Sequence, residues 1–222
     1  MADLLSLSQF RNFLAQPVSD SGRLVQKPAN RRNGYRIGGL GQSGQGILVK
    51  LPRAQRVTLK EFPKENADSD YVISFTFKEP AARKQVIDAM DNLEERVLSE
   101  MKEDVGNYSS GQRSGRGKKQ ASGGGGAASE GLLESLLSAN FVNTYYVAEN
   151  GNLYLRGSVT PATEYYDEQG REMSFLSFKS ALESSADDSS VYSCVPVIHF
   201  SHVYCDGSSM KSGVKSKMGA VR

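Results

Sequence analysis

The chain has 222 residues, of which 38% are hydrophobic, and its 10 Tyr and 9 Phe are enough to form the core of one sizeable domain. No window approaches ~18 consecutive apolar residues, and the N-terminus has no basic segment followed by an apolar one. The sequence therefore predicts neither a membrane span nor a secretory signal, and we expect an intracellular protein.

The net charge of +2 conceals a strong segregation of charge along the chain. Residues 21–60 contain nine Lys or Arg and no acid, whereas residues 61–104 contain twelve acids and six bases. Residues 105–129 again have bases only, residues 130–190 are acidic, and residues 191–222 are basic. A solvated surface of mixed sign would explain this layout, but the long stretch without an acid favours an anionic partner such as nucleic acid.

The N-terminal half predicts an arm followed by strands. The first sixteen residues have the apolar spacing of a short amphipathic helix that is marginal unless docked, and we expect residues 1–26 to form an arm. Residues 27–105 form the first half of the predicted domain. Within it, the segments 47–51, 56–62 and 71–77 are rich in β-branched and aromatic residues and are bounded by Pro or polar residues, which is typical of strands.

A long helix follows at residues 80–102. Pro80 suits a first helical position, and Val86, Met90, Leu93 and Val97 recur at helical spacing. The opposite face is acidic and should point away from nucleic acid. Residues 106–130 are rich in Gly, Ser, Arg and Lys, have no periodicity, and predict a disordered basic loop, with a plain linker as the alternative.

Residues 131–222 form the predicted second half, which begins with a short helix and continues with antiparallel hairpins. Turn sequences occur at Asn150-Gly151, at 167–170 and at Asp206-Gly207, each between apolar or aromatic runs. The order of strands, helix, loop and strands predicts an α+β protein with an antiparallel sheet or small OB-like barrel, one long helix and a disordered Gly-rich loop.

No motif predicts catalysis, a cofactor or a metal. The G-x-G-x-x-G at 39–44 precedes a strand, whereas the dinucleotide fingerprint needs a helix after it. On a regular strand, Cys194 and His202 would face one side and His199 and Cys205 the other, which argues against a shared ion. We therefore predict a protein that is not an enzyme.

The remaining signal is the mixture of cationic and aromatic residues, which is typical of single-strand binding because cations track phosphates and rings stack on bases. For any single ring, a place in the core is the alternative. Tyr146, Tyr165 and Tyr166 are further aromatic candidates. The predicted nucleic-acid-binding residues are Arg31, Arg32, Tyr35, Arg36, Lys50, Arg53, Arg56, Lys60, Arg113, Arg116, Lys118, Lys119, Tyr145, Tyr154, Arg156, Lys215 and Lys217.

The run ILVKLPRAQRVTLKEF, the run YVISFTF, the acidic-faced helix and the closing segment that ends in GVKSKMGAV together resemble the OB-fold single-stranded-DNA-binding proteins of nucleocytoplasmic large DNA viruses of algae and protists. In that family an aromatic residue commonly stands where this chain has Ser216. The resemblance implies sequence-independent binding of single-stranded DNA, or of RNA, in viral replication, repair or recombination.

The resemblance also implies a place at viral replication sites in the host cytoplasm or nucleus, or in the virion. Self-association stays open. The alternative is a structural or scaffold protein of the virion that contacts other subunits or packaged DNA.

Overall fold

The structure is a computed structural model, and it describes residues 4–17, 22–28, 30–32, 35–41, 43–64, 67–108, 126–184 and 193–222. Its helices are α1 (Leu7–Ala15), α2 (Pro80–Glu103), α3 (Val105–Tyr108), α4 (Gly126–Ala139) and α5 (Phe175–Ser184). Its strands are β1 (Leu4–Ser6), β2 (Asn30–Arg32), β3 (Tyr35–Gly39), β4 (Ile47–Lys50), β5 (Arg56–Lys64), β6 (Ala67–Phe77), β7 (Phe141–Val142), β8 (Tyr145–Val147), β9 (Leu153–Ser158), β10 (Glu164–Tyr166), β11 (Glu172–Met173), β12 (Pro196–Asp206) and β13 (Ser212–Val221).

The described strands form one mixed sheet whose main path runs β1-β4-β12-β13-β9-β6-β5, and the other strands pair onto its members. Most pairs are antiparallel, but β1 with β4 and β13 with β7, β9 and β10 are parallel. The predicted α+β class and the long helix are confirmed. Of the two predicted forms, an antiparallel sheet or a small OB-like barrel, the barrel is wrong, because β1 and β5 end the path at opposite edges and do not pair with each other. The sheet is open, and it is mixed rather than purely antiparallel.

The helices cover one face of the sheet, which we call the inner face. Val86, Met90, Leu93 and Val97 of α2 are fully buried in one cluster with Ile73 and Phe75 of β6 and Ile198 and Phe200 of β12. Helix α5 packs on the same face, where the rings of Phe175 and Tyr71 lie 4.8 Å apart. The 3.6-residue period of α2 thus places its apolar stripe on the sheet and its exposed acids Asp91, Glu95 and Glu103 on the far side.

The N-terminal segment, which the sequence predicts to be an arm, contributes to this core. Helix α1 begins with a capping box in which Ser6 Oγ accepts from Gln9 N and Gln9 Oε1 accepts from Ser6 N. Phe10 is fully buried, and its ring stacks on Phe200 at 5.9 Å with an interplanar angle of 9°. Docking therefore stabilises a helix that would be too short to persist alone.

A buried carboxylate joins the following segment to α2. Glu100 is 0% exposed and accepts hydrogen bonds from Leu24 N at 3.0 Å and Val25 N at 2.8 Å. Arg96 Nε donates to the same carboxylate at 2.6 Å. The carboxylate thus accepts hydrogen bonds from two backbone N–H groups and one guanidinium. A buried acid is tolerated when it is hydrogen-bonded and paired in this way.

Three predicted hairpins are present. Strands β8 and β9 flank the turn at Gly151, and β10 and β11 flank the turn at Gly170; both glycines have a positive φ. The third prediction was wrong in detail, because β12 and β13 are joined by the five residues between Asp206 and Ser212 and not by a two-residue Asp-Gly turn. In that loop it is Met210, with φ 54°, that adopts the left-handed conformation.

Only the ends of the predicted basic loop 106–130 lie within the described residues. At its start, the short helix α3 ends in Tyr108, which is 1% exposed, and at its end α4 already begins at Gly126. Residues 109–125 lie outside the described part of the chain. Within the described part, no helix is long and apolar enough to cross a membrane.

Candidate nucleic-acid interface

The face of the sheet opposite the helices, which we call the outer face, is defined by strand alternation. In β6 and β9, Ile73, Phe75 and Leu155 point inward and are fully buried, so Val72, Ser74 and Arg156 point to the other side. Residues directly opposite each other in paired strands lie on the same face, so the register extends this assignment across the sheet.

One cross-strand row on the outer face runs across five strands. Lys60 of β5 lies opposite Val72, Val72 lies opposite Ser158, Ser158 lies opposite Lys217, and Lys217 lies opposite His199 of β12. At ~4.8 Å between neighbouring strands, this row is ~19 Å long. It carries Lys60 near one edge and the Lys217–His199 pair toward the other.

A second row combines a cation with two neighbouring aromatic rings. Arg56 lies opposite Thr76, Thr76 opposite Tyr154, and Tyr154 opposite Tyr146 of β8. The rings of Tyr146 and Tyr154 are 6.1 Å apart with an interplanar angle of 32°, and Tyr146 is 55% exposed. Arg156 follows Tyr154 two positions along β9 and is also exposed.

A β-bulge in β12 brings two histidines to the outer face. The register of β12 against β13 shifts between Phe200 and His202, so that both Phe200 and Val203 are buried in the core. As a result, His199 lies opposite Lys217, and His202 lies opposite Lys215, on the same side. The bulge thus overturns the predicted separation of the two histidines, because it adds one residue to the strand.

A groove opens on this face between β9 and the strands β3, β12 and β13, with a volume of about 450 Å³. The rings of Tyr35 and Tyr204 meet edge to face there, with centroids 5.9 Å apart and an interplanar angle of 79°. Arg156, His202 and Lys215 also line the groove. Burial raises the pKa of Tyr204, so its phenol is neutral at physiological pH and can donate a hydrogen bond.

Acidic side chains are concentrated on the opposite side of the molecule. Asp91, Glu94, Glu95 and Glu103 of α2 line a shallow depression together with Glu134 of α4. Burial raises the pKa of Glu94 although Thr144 donates two hydrogen bonds to its carboxylate. On the outer face, Asp70 and Asp206 lie at the borders, opposite Phe62 and Tyr35. The charge distribution therefore directs an anionic polymer to the outer face.

The predicted binding residues divide among several places. Tyr35, Arg56, Lys60, Tyr154, Arg156, Lys215 and Lys217 lie on the outer face. Lys50 is exposed at the end of β4, and Arg53 donates to Ser193 Oγ at 2.9 Å. Arg31 and Arg32 lie on β2, and their side chains are outside the described part, as are Arg113, Arg116, Lys118 and Lys119.

Two predicted residues face the helices. Tyr145 Oη donates to Asp91 Oδ1 of α2 at 2.6 Å, and burial together with this bond raises the pKa of the phenol. Arg36 lies opposite Cys205, which is fully buried, and so takes the side of the sheet opposite to Tyr35. Both placements correct the prediction, and both follow from the two-residue period of a strand.

Among the other aromatic candidates, Tyr165 is a core residue. It is 4% exposed and stacks on Phe178 at 4.8 Å. Tyr166 lies under the guanidinium of Arg222 at 4.9 Å, away from the rows described above. The alternative of a place in the core therefore holds for Tyr165, whereas Tyr166 lies outside both the core and the outer-face rows.

Three outer-face residues were missed by sequence reasoning: Phe62, Tyr204 and His202. Phe62 is 43% exposed with Lys60 Nζ 5.0 Å from its ring centroid, and Tyr204 lies in the groove. Counting alternate residues from the buried Val203 and Cys205 would have placed His202 and Tyr204 on the outer face. The sequence of the whole strand, however, is typical of a strand in the core.

The cysteines and the glycine motif have structural explanations. Cys194 and Cys205 are free and buried, and burial raises the pKa of each thiol to about 12, so both stay protonated. Within the described ranges, no group of His, Cys, Asp or Glu is arranged to hold a metal ion. In the G-x-G-x-x-G at 39–44, Gly41 and Gly44 have φ values of 78° and 69°, and a Cβ on Gly39 would lie 2.5 Å from the carbonyl oxygen of Gly44.

The fold and the outer face define an α+β protein with a sheet surface that the described residues leave uncovered and that carries cations and aromatic rings. The sequence matches no protein-family model and no curated protein. Among solved structures, it is similar to the single-stranded DNA-binding protein from bacteriophage Enc34 in complex with ssDNA. That alignment covers 88% of this chain and 93% of that chain at 12% identity, with a TM-score of 0.38.

Proposed function

We propose that the outer face binds single-stranded nucleic acid, DNA in the first place, without sequence preference. The observation that carries this proposal is the coincidence of cations and accessible rings on one sheet face, which no described helix covers, while the exposed acids of α2 lie on the other side of the molecule. Such a face offers both interactions that sequence-independent single-strand binding uses: phosphate neutralisation and base stacking.

The cations are spaced to follow a polymer rather than to hold a single anion. Lys60 and Lys217 lie on one row that spans β5 to β13, and Arg56 and Arg156 lie beside it. In the described structure, none of these side chains forms an ion pair with an acid at 4.0 Å or less, in contrast to Lys84 and Arg23 on the helical side. They are therefore available for phosphates.

The exposed aromatic rings can stack on unpaired bases but not on the paired bases of duplex DNA. Tyr146 and Phe62 expose about half of their surface, and a base must be unpaired and unstacked to lie on such a ring. A duplex offers only its phosphates to a sheet face, so we expect a preference for single strands.

The biological setting is a further proposal that rests on the family resemblance of the sequence. We infer that the protein acts on exposed single strands during viral DNA replication, repair or recombination, inside the host cell. The test of this part is localisation: in infected cells, the protein should colocalise with newly synthesised viral DNA.

The binding proposal is tested with the full chain and with labelled oligothymidine and a length-matched duplex, at low and moderate salt. We expect tighter binding to the single strand and a steep loss of affinity with salt. The variant Arg56→Gln/Lys60→Gln should weaken binding, whereas Lys84→Gln/Lys102→Gln on α2 should not, although both remove two positive charges. Equal losses for the two variants, or tighter binding to the duplex, would contradict the proposal.

A further inference from the structure

We propose that the groove beside β9 is a pocket for one unpaired nucleotide, in which the base lies against Tyr204 and Tyr35 and the phosphate lies between Arg156 and Lys215. This inference rests on the proposed single-strand binding and adds to it a defined subsite. The rest of the outer face offers rings and cations along open rows, whereas here two rings and two cations converge on one groove.

The groove exists because β13 and β9 diverge. They share a single register pair, Lys217 with Ser158, whereas β9 pairs with β6 over six residues and β13 pairs with β12 over nearly its whole length. Next to that pair, Ser216 Oγ donates to the carbonyl of Arg156 at 2.8 Å in place of a backbone ladder bond. Two well-paired parts of the sheet therefore hold the groove open from both sides.

The size and lining of the groove suit a heteroaromatic ligand. Its volume of about 450 Å³ lies within the ~300–1,000 Å³ typical of small-molecule pockets. Ile37 and Val72 supply apolar surface, and the edge-to-face pair of Tyr35 and Tyr204 supplies ring faces and edges. Tyr204 is held in place because Gly213 opposite it has no side chain; a Cβ there would lie 2.9 Å from the Tyr204 oxygen.

The cations are positioned for a phosphate at the mouth of the groove. Arg156 and Lys215 are both exposed, and they come from the two strands that diverge. His202, opposite Lys215, adds a ring nitrogen; its Nδ1 lies 3.0 Å from Ser201 Oγ. A ligand with a ring at one end and a dianion at the other matches this layout, and a nucleoside monophosphate is such a ligand.

The inference predicts that a single nucleotide binds the protein at this site even though it cannot span the face. The probe is thymidine 5′-monophosphate, followed by backbone amide NMR shifts of the full chain. We expect saturable shifts at Gly157, Ser158 and Ser216 in the millimolar range. Inorganic phosphate and thymidine serve as separate controls, and each should produce weaker shifts at these amides than the nucleotide does.

Two matched variants separate this subsite from the general interface. Tyr204→Leu should abolish nucleotide binding, whereas Tyr146→Leu, on the exposed row, should leave it unchanged. Both variants should weaken oligothymidine binding by ~5- to 150-fold, the effect of losing one stacked base. Near-native amide spectra of both variants show that the fold is intact.

The outcomes distinguish the two proposals. If oligothymidine binds but the nucleotide produces no shifts in the groove, or if inorganic phosphate alone reproduces them, the subsite is overturned and the general interface stands. If neither ligand binds, the proposed function itself is wrong. Nucleotide binding that is lost in Tyr204→Leu and kept in Tyr146→Leu supports the subsite.

Discussion

At the scale of single residues, strand parity decides which rings can meet a base. Tyr145 and Tyr146 are neighbours in the sequence, yet Tyr145 is bonded to Asp91 of α2 and Tyr146 is exposed beside Tyr154. Sequence reasoning could select tyrosines but could not assign their faces, because both faces of this strand carry Tyr and no apolar alternation marks the core side.

We predict that Tyr154→Ala weakens oligothymidine binding by ~1–3 kcal/mol, the contribution of one stacked base. The matched control is Tyr145→Phe, which removes only the hydroxyl bonded to Asp91 on the inner face and should leave the affinity unchanged. Fluorescence anisotropy measures both variants. An unaffected Tyr154→Ala variant would show that the row of Arg56, Tyr154 and Tyr146 does not contact bases.

Glu100 gives a stability prediction at the same scale. Replacement of Glu100 by Gln removes the charge that pairs with Arg96, and it leaves the N–H groups of Leu24 and Val25 competing for one oxygen. Breaking such a buried ion pair lowers the free energy of unfolding by ~3–5 kcal/mol. Glu103, whose side chain is 54% exposed, is the control, and Glu103→Gln should cost under ~1 kcal/mol. Urea unfolding measures both, and equal losses would contradict a special role for Glu100.

At the scale of elements, the N-terminal helix shows what periodicity alone leaves open. The spacing of Leu7, Phe10 and Leu14 predicts an amphipathic helix, and this is the helix observed, with those three residues buried. Whether it docks depends on Phe200, which is far away in sequence and invisible to a local pattern. The same reason explains the missed bulge in β12, since a bulge is set by what each strand residue meets on its partners.

We predict that Phe10→Ala lowers the free energy of unfolding by ~3–5 kcal/mol, as for other buried Phe residues, because it leaves a cavity against Phe200. Phe62→Ala is the size-matched control: Phe62 is 43% exposed on the outer face, and its loss should change stability by under ~0.5 kcal/mol while it weakens DNA binding. Chemical denaturation measures the stability of both variants, and fluorescence anisotropy measures their DNA binding. A mild Phe10→Ala variant would mean that α1 is not part of the core.

The loop between β12 and β13 gives a pH prediction. Hydrogen bonds from Ser209 and Ser208 lower the pKa of Asp206 to about 2, below the ~3.9 of an unfolded chain. A depressed carboxylate pKa stabilises the fold above the unfolded value, and this contribution is lost as the pH falls from ~4 toward about 2. Asp206→Asn should therefore lower the Tm at pH 7, and the difference from the original chain should narrow by pH 2 in calorimetric scans. A constant difference across that range would contradict the assignment.

At the scale of the whole molecule, the charge blocks of the sequence become a two-sided protein. Six of the twelve acids in residues 61–104 lie in α2. Arg56, Lys60 and Lys215 lie on the outer face, on the other side of the sheet. The choice between an open sheet and a barrel could not be made from the sequence, because hairpin signals specify neighbours along the chain and say nothing about whether the first and last strands meet.

The salt dependence of binding can distinguish contacts to phosphates from contacts to bases. For single strands, each neutralised phosphate contributes ~0.7 to the slope of log affinity against log salt concentration, whereas a stacked base contributes affinity without releasing counterions. Arg56→Gln/Lys60→Gln should therefore reduce the slope by ~1.4, if each cation neutralises one phosphate.

Tyr154→Leu should also lower the affinity for oligothymidine. It should leave the slope of log affinity against log salt concentration unchanged, because it removes a ring and no charge. Lys84→Gln, on the acidic side, should change neither quantity, since its ammonium is paired with Asp88 at 3.1 Å. Anisotropy titrations across a series of salt concentrations measure all three variants. Parallel lines for the original chain and for Arg56→Gln/Lys60→Gln would show that the cations of β5 do not meet phosphates, and the nucleic acid would then have to cross a different part of the sheet.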